Sequence, residues 1–262
     1  LIHKFNNGNK LAKYYNIDDL RLLAKKRVPQ AVFDYADGAA EDESTKANNR
    51  SAFQKWKFIP DVLIDVSEVD THTKVLETDM PYPFALGPTA ISYLFHHAGE
   101  PAVARAASKR NFPSTLSSIA STNIEDYAES SNGSVWFQMY VWKNREISHD
   151  FIKRCKASNY KAIMLTVDVP VGGKRERDLR SGMTVPPQLT LASIIDAAFH
   201  PHWWWNFIFG PKISFANVKE RFTGKKQKLS NIMTYMNQQF DPTVTWEEAK
   251  EIASMWGGPF AI

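Results

Sequence analysis

The chain has 262 residues, of which 44% are hydrophobic, and its formal net charge is only +4. This length and apolar content are enough to bury the core of a single large globular domain. Acidic and basic residues are interleaved, and the sequence has no basic stripe, zinc-ligand spacing or RNA-binding aromatic motif. These features argue against nucleic-acid binding and give no candidate metal site.

The cellular location is predicted from cysteine usage and apolar runs. The single cysteine, Cys155, excludes an internal disulfide framework and fits a reducing compartment. No apolar run approaches the roughly 20 residues needed to cross a bilayer, and the first 30 residues lack the apolar core of a signal peptide. The sequence therefore predicts a cytoplasmic protein.

Three helices are predicted at the N-terminal end of the chain. Asn16 or Asp18 has the side chain of a helix cap and begins the first of them. Pro29 begins the second helix and Gly38 ends it. The third helix is predicted over 42–53.

Short apolar runs and amphipathic helices then alternate. The predicted strands cover 83–90, 112–118, 135–141 and 161–168. Helices are predicted between them over 99–110, from Ile124, and through Ile147–Cys155. Because the strands lack strict apolar–polar alternation, both faces of their sheet are expected to be covered. This pattern indicates right-handed βαβ units and a parallel sheet.

A long excursion, about 170–244, interrupts the alternation. Thr245 and Glu248 then form the signature of a capping box. It begins a helix over 245–256, and a fifth strand begins at 259–262.

The order of these elements fits two architectures, a doubly wound sheet or part of a (β/α)8 TIM barrel. Polar side chains lie at the C-terminal ends of the predicted strands: Ser117, Gln138, Tyr140, Thr166 and Asp168. In a barrel these ends converge on one mouth, where active sites are built. The turn after the first strand, GPTAISY (87–93), lacks the glycines of a dinucleotide-binding turn. The barrel is therefore favoured.

Several longer motifs follow one another in a fixed order. They are VFDYADGAAED (32–42), PTA (88–90), STLSSIAS (114–121), FQMYV (137–141), LTVDVPVGGKRERD (165–178) and GGPFAI (257–262). In this order and spacing, they resemble the FMN-dependent 2-hydroxy acid oxidases and dehydrogenases, such as glycolate oxidase, L-lactate dehydrogenase and mandelate dehydrogenase. The similarity runs from about Asn16 to Ile262.

The resemblance has consequences for the fold and the domain. It implies an α/β fold, a TIM barrel that is incomplete in this chain. Residues 1–262 would be the N-terminal portion of a single FMN hydroxy acid dehydrogenase domain, with the first four βα units and the start of strand five.

The resemblance also implies which residues bind FMN. The backbone of Pro88, Thr89 and Ala90 would lie against the flavin ring, since small side chains at a strand end leave room for a flat cofactor. Neutral donors and acceptors suit the edges of the isoalloxazine ring, and the matching residues are Ser117, Gln138 and Thr166. Taken singly, Ser117 and Thr166 could equally well satisfy backbone groups at the strand ends.

Substrate binding and catalysis are assigned by the same resemblance. Tyr35 and Tyr140 would face the carboxylate and hydroxyl of the substrate, and Arg175 would bind the carboxylate. Asp168 would orient a catalytic histidine and stabilise its charged form, so Tyr140 and Asp168 are the candidate catalytic residues. From residue chemistry alone, the tyrosines are typical of half-buried structural positions and the arginine of a surface position. Arg177 and Lys174 are interpreted as solvated flanking residues.

The family has further functional parts that would follow Ile262. These are a lysine at the end of strand five, the proton-accepting histidine with a second arginine after strand six, and the FMN phosphate site. The 262-residue chain on its own is therefore expected to be inactive.

The segment 189–211 clusters aromatic residues, including Trp203, Trp204 and Trp205, with few charges. Such clusters favour a membrane interface. The segment resembles one in the bacterial lactate and mandelate dehydrogenases, where it attaches the enzyme to the membrane. This resemblance implies a peripheral position on the inner face of the cell membrane. The alternative is a lid over the active site that packs on barrel helices.

The implied activity is FMN-dependent oxidation of an L-2-hydroxy acid, most specifically L-lactate, to the 2-oxo acid. A quinone, a cytochrome or oxygen would accept the electrons, and the complete protein would be a homo-oligomer. Two alternatives stay open. One is a soluble 2-hydroxy acid oxidase that uses oxygen, similar to glycolate oxidase, and the other is a non-catalytic flavin-binding fragment.

Overall fold

The computed structural model describes residues 13–168, 172–184, 188, 190–218 and 238–262, and the structural statements below refer to these ranges. Three helices come first: α1 (Ile17–Arg27), α2 (Gln30–Asp37) and α3 (Ser44–Ser51), followed by a short 3-10 helix (Ala52–Lys55). Asn16 caps α1, because its side chain accepts a hydrogen bond from the N–H of Asp19 at 2.8 Å.

The remaining elements form a hairpin and an alternating α/β region. The hairpin pairs two antiparallel strands, β1 (Thr73–Val75) and β2 (Thr78–Met80). The alternating region contains α4 (Gly99–Ser108), β3 (Ser114–Ser117), α5 (Ile124–Glu129), β4 (Val135–Tyr140), α6 (Arg145–Ala157) and β5 (Ala162–Thr166). After it come α7 (Glu176–Ser181), α8 (Leu191–Ala198), α9 (Pro201–Phe209), α10 (Trp246–Trp256) and β6 (Phe260–Ala261).

The central sheet has four parallel strands in the order β3, β4, β5, β6. Sequence order and spatial order coincide, as expected for successive βαβ units of a barrel wall. The sequence-based prediction of parallel strands separated by helices is therefore confirmed, and the C-terminal ends of β3, β4 and β5 lie side by side.

The first predicted strand, 83–90, is an exception, because it is reduced to one parallel bridge between Leu86 and Ser114. The N–H of Leu86 donates to the carbonyl of Pro113, and the carbonyl of Leu86 accepts from the N–H of Thr115, both at 2.9 Å. The next ladder bonds would need an N–H from Pro88 on one side and an N–H from Pro113 to the carbonyl of Phe84 on the other, and proline has none, so the ladder cannot extend on either side of Leu86. The segment still lies beside β3, where the prediction placed it.

Alternate residues of the strands face opposite sides of the sheet. Phe137, Met139 and Ile163 belong to the large core between the sheet and its helices. Trp136 and Ala162 lie on the other face, where they pack against Met80 of the hairpin. The indole N–H of Trp136 donates to the hydroxyl of Thr78 at 3.2 Å. The hairpin therefore covers the opposite face of the sheet near the N-terminal ends of its strands.

The predicted capping box of α10 is confirmed. The carboxylate of Glu248 accepts a hydrogen bond from the N–H of Thr245 at 3.2 Å. Within the described part of the predicted excursion lie α7, α8 and α9. The carboxylate of Asp196 in α8 accepts from the N–H of Gln30 at 2.6 Å, and the indole of Trp203 in α9 donates to the carbonyl of Leu94 at 2.7 Å. These contacts hold α8 and α9 against the body of the protein.

Arg177 joins α7 to the N-terminal helices, which corrects its interpretation as a solvated flanking residue. Its guanidinium lies 2.9 Å from the carboxylate of Asp37 and 2.5 Å from that of Glu43. Arg21 and Lys46 also pair with Asp37. The Arg21 hydrogen bond, followed by those of Arg177 and Lys46, holds the pKa of the Asp37 carboxyl well below its usual range.

Replacing Arg177 with alanine is expected to lower the free energy of unfolding by about 1 kcal/mol, because partly exposed ion pairs contribute at most about that much. Equilibrium urea unfolding measures the change. Arg180→Ala is the matched control on the same helix, since Arg180 is exposed and pairs only with Glu176 among the described residues. That control is expected to change the free energy by less than about 0.5 kcal/mol. Equal effects of the two substitutions would contradict a role of Arg177 in holding α2 and α3.

Candidate active site

Three polar side chains form a hydrogen-bonded row across the C-terminal ends of β3, β4 and β5. The hydroxyl of Ser117 donates to the amide oxygen of Gln138 at 3.0 Å, and the amide nitrogen of Gln138 donates to the hydroxyl of Thr166 at 2.6 Å. Ser117 and Gln138 are buried. After these bonds, the Thr166 O–H and one N–H of Gln138 remain as donors. The Ser117 hydroxyl also accepts from the N–H of Ile119 at 3.3 Å and keeps one lone pair. The row can therefore bind a further polar ligand.

The turn after Leu86 lies next to β3. Gly87, Pro88 and Thr89 are exposed, and Ala90 packs partly against the core. Among the described residues, no hydrogen bond uses the backbone N–H of Thr89 or Ala90. The side chain of Thr89 lies 3.3 Å from the hydroxyl of Ser92. The turn thus leaves two backbone donors for a ligand.

Tyr140 ends β4 beside a cavity of about 250 Å³. Thr166, Phe240 and Trp246 also line this cavity, and the Phe240 ring meets the Tyr140 ring edge-on at 5.1 Å. Burial raises the pKa of Tyr140, and the nearby carboxylate of Asp168 raises it further. Tyr140 therefore remains a neutral hydrogen-bond donor at neutral pH.

Tyr35 and Arg175 form a second group, carried by α2 and by the start of α7. The guanidinium carbon of Arg175 lies 5.3 Å from the centre of the Tyr35 ring, within the range of a cation–π contact. Arg175 also donates to the Tyr35 carbonyl at 2.5 Å and to the carboxylate of Asp178 at 2.6 Å. Phe95 stacks on Tyr35 with ring centres 6.2 Å apart. Burial raises the pKa of Tyr35, although the charge of Arg175 partly opposes this effect.

The two groups lie near each other, since Tyr35 is among the causes of the raised pKa of Tyr140. The structure thus brings together Tyr35, Arg175 and Tyr140 from separate elements, and Tyr140 lines the same cavity as Thr166 of the row. Asp168 is exposed at the end of β5. Within the described ranges, no group of three or more His, Cys, Asp or Glu residues could hold a metal ion.

The residues present fit an isoalloxazine ring. Its carbonyl, imide and ring-nitrogen edges need neutral donors and acceptors, and the row of Ser117, Gln138 and Thr166 supplies them without a charged group. The N–H groups of Thr89 and Ala90 add backbone donors at an exposed turn with small side chains. The donor set therefore agrees with FMN as a ligand.

Three residues near the site were not predicted from the sequence. Asp178 holds Arg175, Phe240 packs on Tyr140, and Glu100 is buried in the first turn of α4, where it accepts from the N–H of Ser92. Phe240 and Glu100 contact residues far away in the chain, and short-range sequence patterns do not record such contacts. Asp178 lies only three residues from Arg175, so that pair is local in the sequence. Glu100 lies in the first turn of a helix, where acidic residues are common on solvated surfaces, so its position in the sequence did not indicate a buried role.

The chain is similar to known proteins over nearly its whole length. The model of the FMN-dependent dehydrogenase family matches residues 24–262. A protein of Mycobacterium tuberculosis named "Putative L-lactate dehydrogenase" is 39% identical over 254 residues, covering 97% of this chain and 60% of that protein. The (S)-mandelate dehydrogenase of Pseudomonas putida is 34% identical over 242 residues, covering 92% of this chain and 61% of that protein.

A solved structure gives the same result for the fold. The crystal structure of the monotopic membrane protein (S)-mandelate dehydrogenase is similar with a TM-score of 0.89 and 33% sequence identity, covering 95% of this chain and 65% of that one. The predicted incomplete TIM barrel is confirmed by this similarity and by the parallel sheet. The chain spans about 60% of the length of the curated relatives named above. With its family model matched from residue 24 onward, the chain belongs to the FMN-dependent dehydrogenase family, whose cofactor is FMN.

Proposed function

We propose that this chain supplies the ring-binding and substrate-binding side of an FMN-dependent L-2-hydroxy acid dehydrogenase that oxidises L-lactate. The observation that carries the proposal is the neutral hydrogen-bonding row of Ser117, Gln138 and Thr166 beside Tyr140, with Tyr35 near Tyr140 and Arg175 over the Tyr35 ring. A charge-free row suits a flavin ring, and a guanidinium with two phenols suits a small carboxylate that carries a hydroxyl group.

FMN, when bound, accepts the two electrons that leave the α-carbon of the substrate. The residues of this chain bind and orient. The backbone of Pro88, Thr89 and Ala90 and the row at the strand ends hold the flavin ring. Arg175 pairs with the substrate carboxylate through charge-assisted hydrogen bonds, which fixes which face of the α-carbon meets the ring.

The phenols of Tyr35 and Tyr140 donate hydrogen bonds to the carboxylate and the hydroxyl of the substrate. Asp168 orients the histidine that takes the hydroxyl proton and stabilises the imidazolium that results. Asp168 is exposed at the end of β5, so a partner side chain can reach it. Among the described residues, no histidine lies at the C-terminal end of a strand, so none of them is assigned this role.

The raised pKa values of the two tyrosines predict the pH dependence of substrate binding. Burial raises both values above the usual 10.0, so the neutral donor forms persist as the pH rises to 10. The KM for L-lactate is therefore expected to stay constant within about twofold between pH 7 and pH 10. Steady-state kinetics measure it, with Tyr140→Phe as the comparison. A rise in KM with an apparent pKa below 10 that disappears in Tyr140→Phe would contradict the assignment.

The choice of L-lactate follows the names of relatives. L-lactate dehydrogenase of Acinetobacter baumannii is 32% identical over 246 residues. Mandelate dehydrogenases are also among the relatives, so mandelate and glycolate are the competing substrates.

A quinone, a cytochrome or oxygen accepts the electrons, and the complete protein is a cytoplasmic homo-oligomer in this proposal. An oxidase that uses oxygen remains the alternative within the same chemistry.

One experiment tests the proposal. In a chimera, hereafter the completed enzyme, residues 1–262 continue into the C-terminal part of the Mycobacterium tuberculosis relative. The purified protein is expected to be yellow, and anaerobic L-lactate is expected to bleach its flavin faster than (S)-mandelate or glycolate at equal concentration. If only (S)-mandelate bleaches the flavin, mandelate takes the place of L-lactate as the proposed substrate. A protein that binds FMN without bleaching by any of the three acids would support the non-catalytic alternative.

The proposal includes peripheral membrane contact through 189–211. None of the described helices is both long and apolar enough to cross a membrane. In α8 and α9, however, large apolar side chains remain exposed: Leu191, Ile194, Ile195, Phe199, Trp205, Phe207, Ile208 and Phe209. An exposed apolar face of this size is typical of an interaction surface. The related (S)-mandelate dehydrogenase is a monotopic membrane protein, which supports a lipid surface as the partner.

A further inference from the structure

We infer that Glu100 is a positioning residue for the flavin-binding site. Its carboxylate ties the turn that carries Pro88, Thr89 and Ala90 to the loop that follows Ser117. This role rests on the proposed function. Nothing in the catalytic scheme uses Glu100, although its side chain is almost completely buried, at 3% exposure.

The contacts of Glu100 come from two separate segments of the chain. One carboxylate oxygen accepts from the N–H of Ser92 at 2.9 Å and from the N–H of Ser121 at 3.0 Å. The other accepts from the hydroxyl of Thr122 at 2.9 Å. Ser92 lies two residues after Ala90, and Ser121 lies four residues after Ser117. One side chain therefore bridges the two segments that would hold the ring.

The position of the carboxylate distinguishes this role from ordinary helix capping. Glu100 lies in the first turn of α4, where an acidic residue usually interacts with the free N–H groups of its own helix. Its partners instead lie outside α4: Ser92 begins a short 3-10 helix (Ser92–Leu94), and Ser121 and Thr122 lie in the loop after β3. A buried carboxylate is stable only when it is hydrogen-bonded, and these three bonds meet that need.

The 88–92 turn also carries backbone strain that needs an external restraint. Ile91 has a φ of 43°, in the left-handed region that β-branched residues avoid. Ile91 directly precedes Ser92, whose N–H is held by Glu100. Strained residues persist where the surroundings over-determine them, and they cluster at ligand sites. Glu100 therefore supplies a restraint at the point where the turn would otherwise relax.

Gly99, next to Glu100, allows the same arrangement. Its φ is 46°, and a Cβ atom placed there would come within 2.3 Å of the Tyr93 ring. Only glycine permits Tyr93 to pack this closely. The pair Gly99–Glu100 thus fixes the end of the turn by close packing on one side and by hydrogen bonds on the other.

The inference is tested in the completed enzyme by titrating apoprotein with FMN and following flavin fluorescence. Glu100→Ala is expected to raise the FMN dissociation constant roughly 10- to 100-fold, because two backbone N–H groups and a hydroxyl lose a charged acceptor. Glu100→Gln is expected to bind within about threefold of wild type. Its amide oxygen still accepts from both N–H groups, and the Thr122 hydroxyl can reverse its role and accept. Glu146→Ala is the control, since Glu146 is an exposed first-turn glutamate of α6.

A second variant covers the case in which Glu100→Ala does not fold. Thr122→Val removes the hydrogen bond to Glu100 and the weaker 3.4 Å contact between the Thr122 and Tyr93 hydroxyls. An FMN dissociation constant raised about threefold or more is then expected. Unchanged FMN affinity in folded Glu100→Ala, or in Thr122→Val where Glu100→Ala is unfolded, overturns the inference. Loss of affinity in Glu100→Gln equal to that in Glu100→Ala also overturns it. A wild-type completed enzyme that binds no FMN overturns the proposed function itself, which separates the two failures.

Discussion

Replacing Arg175 with methionine is expected to lower kcat/KM of the completed enzyme for L-lactate by about 30- to 5,000-fold, with FMN still bound. When substrate and flavin cover the pair, loss of the guanidinium leaves the substrate carboxylate without its counterion, at an expected cost of roughly 2–5 kcal/mol. The guanidinium lies over the Tyr35 ring and is held by Asp178, so it is oriented before a substrate arrives. Methionine keeps the length and apolar stem of the side chain and removes only the charge and the donors.

Two variants sharpen the test. Arg175→Lys keeps the positive charge and loses the bidentate geometry, so it is expected to recover part of the activity. Arg180→Met removes an exposed guanidinium from the same helix and is expected to leave kcat/KM unchanged within about twofold. Steady-state kinetics with L-lactate, together with the flavin spectrum, measure these effects. An Arg175→Met variant with the wild-type KM and kcat would show that the carboxylate binds elsewhere.

Replacing Phe199, Trp205 and Phe209 together with glutamine is expected to weaken vesicle binding of the completed enzyme at least about 100-fold. All three side chains are well exposed: Phe199 directly follows α8, and Trp205 and Phe209 lie in α9. Each is expected to contribute on the order of 1.5–3 kcal/mol when transferred from water into the interface. Flotation with phospholipid vesicles measures the bound fraction.

The matched control replaces the same three residues with leucine, which keeps the surface apolar and is expected to retain most of the binding. The lid hypothesis predicts a different outcome. If the glutamine variant binds vesicles like wild type and its kcat or KM changes instead, then α8 and α9 cover the active site and do not contact lipid.

The alternating α/β region was predictable because its signals are local. Apolar runs such as VWFQMY (135–140) form buried strands, and the helices between them show their buried faces in the sequence. The hairpin of β1 and β2 was missed. Its turn residues, Leu76 and Glu77, have φ values of 47° and 55°, the geometry of a turn that usually shows Asn-Gly or Asp-Gly. Because the turn has neither Asn-Gly nor Asp-Gly and each strand has only three residues, no local pattern in the sequence indicated a hairpin.

For the site, the sequence predicted which residues gather but not what holds them. The C-terminal ends of parallel strands meet at one edge, so Ser117, Gln138 and Thr166 could be placed together before their hydrogen bonds were seen. Arg177 was interpreted wrongly because its partners, Asp37 and Glu43, lie far away in the chain. The roles of the site residues in binding and catalysis stay predictions.

The most direct test of the central claim is a crystal structure of the completed enzyme with FMN. The hydroxyl of Thr166 and the amide of Gln138 are expected within hydrogen-bonding distance, about 2.7–3.2 Å, of the polar atoms of the flavin ring. Tyr140 and Arg175 are expected to lie on the open face of the ring. Flavin density away from the ends of β3, β4 and β5, with the row of Ser117, Gln138 and Thr166 contacting only protein or water, would contradict the proposed site.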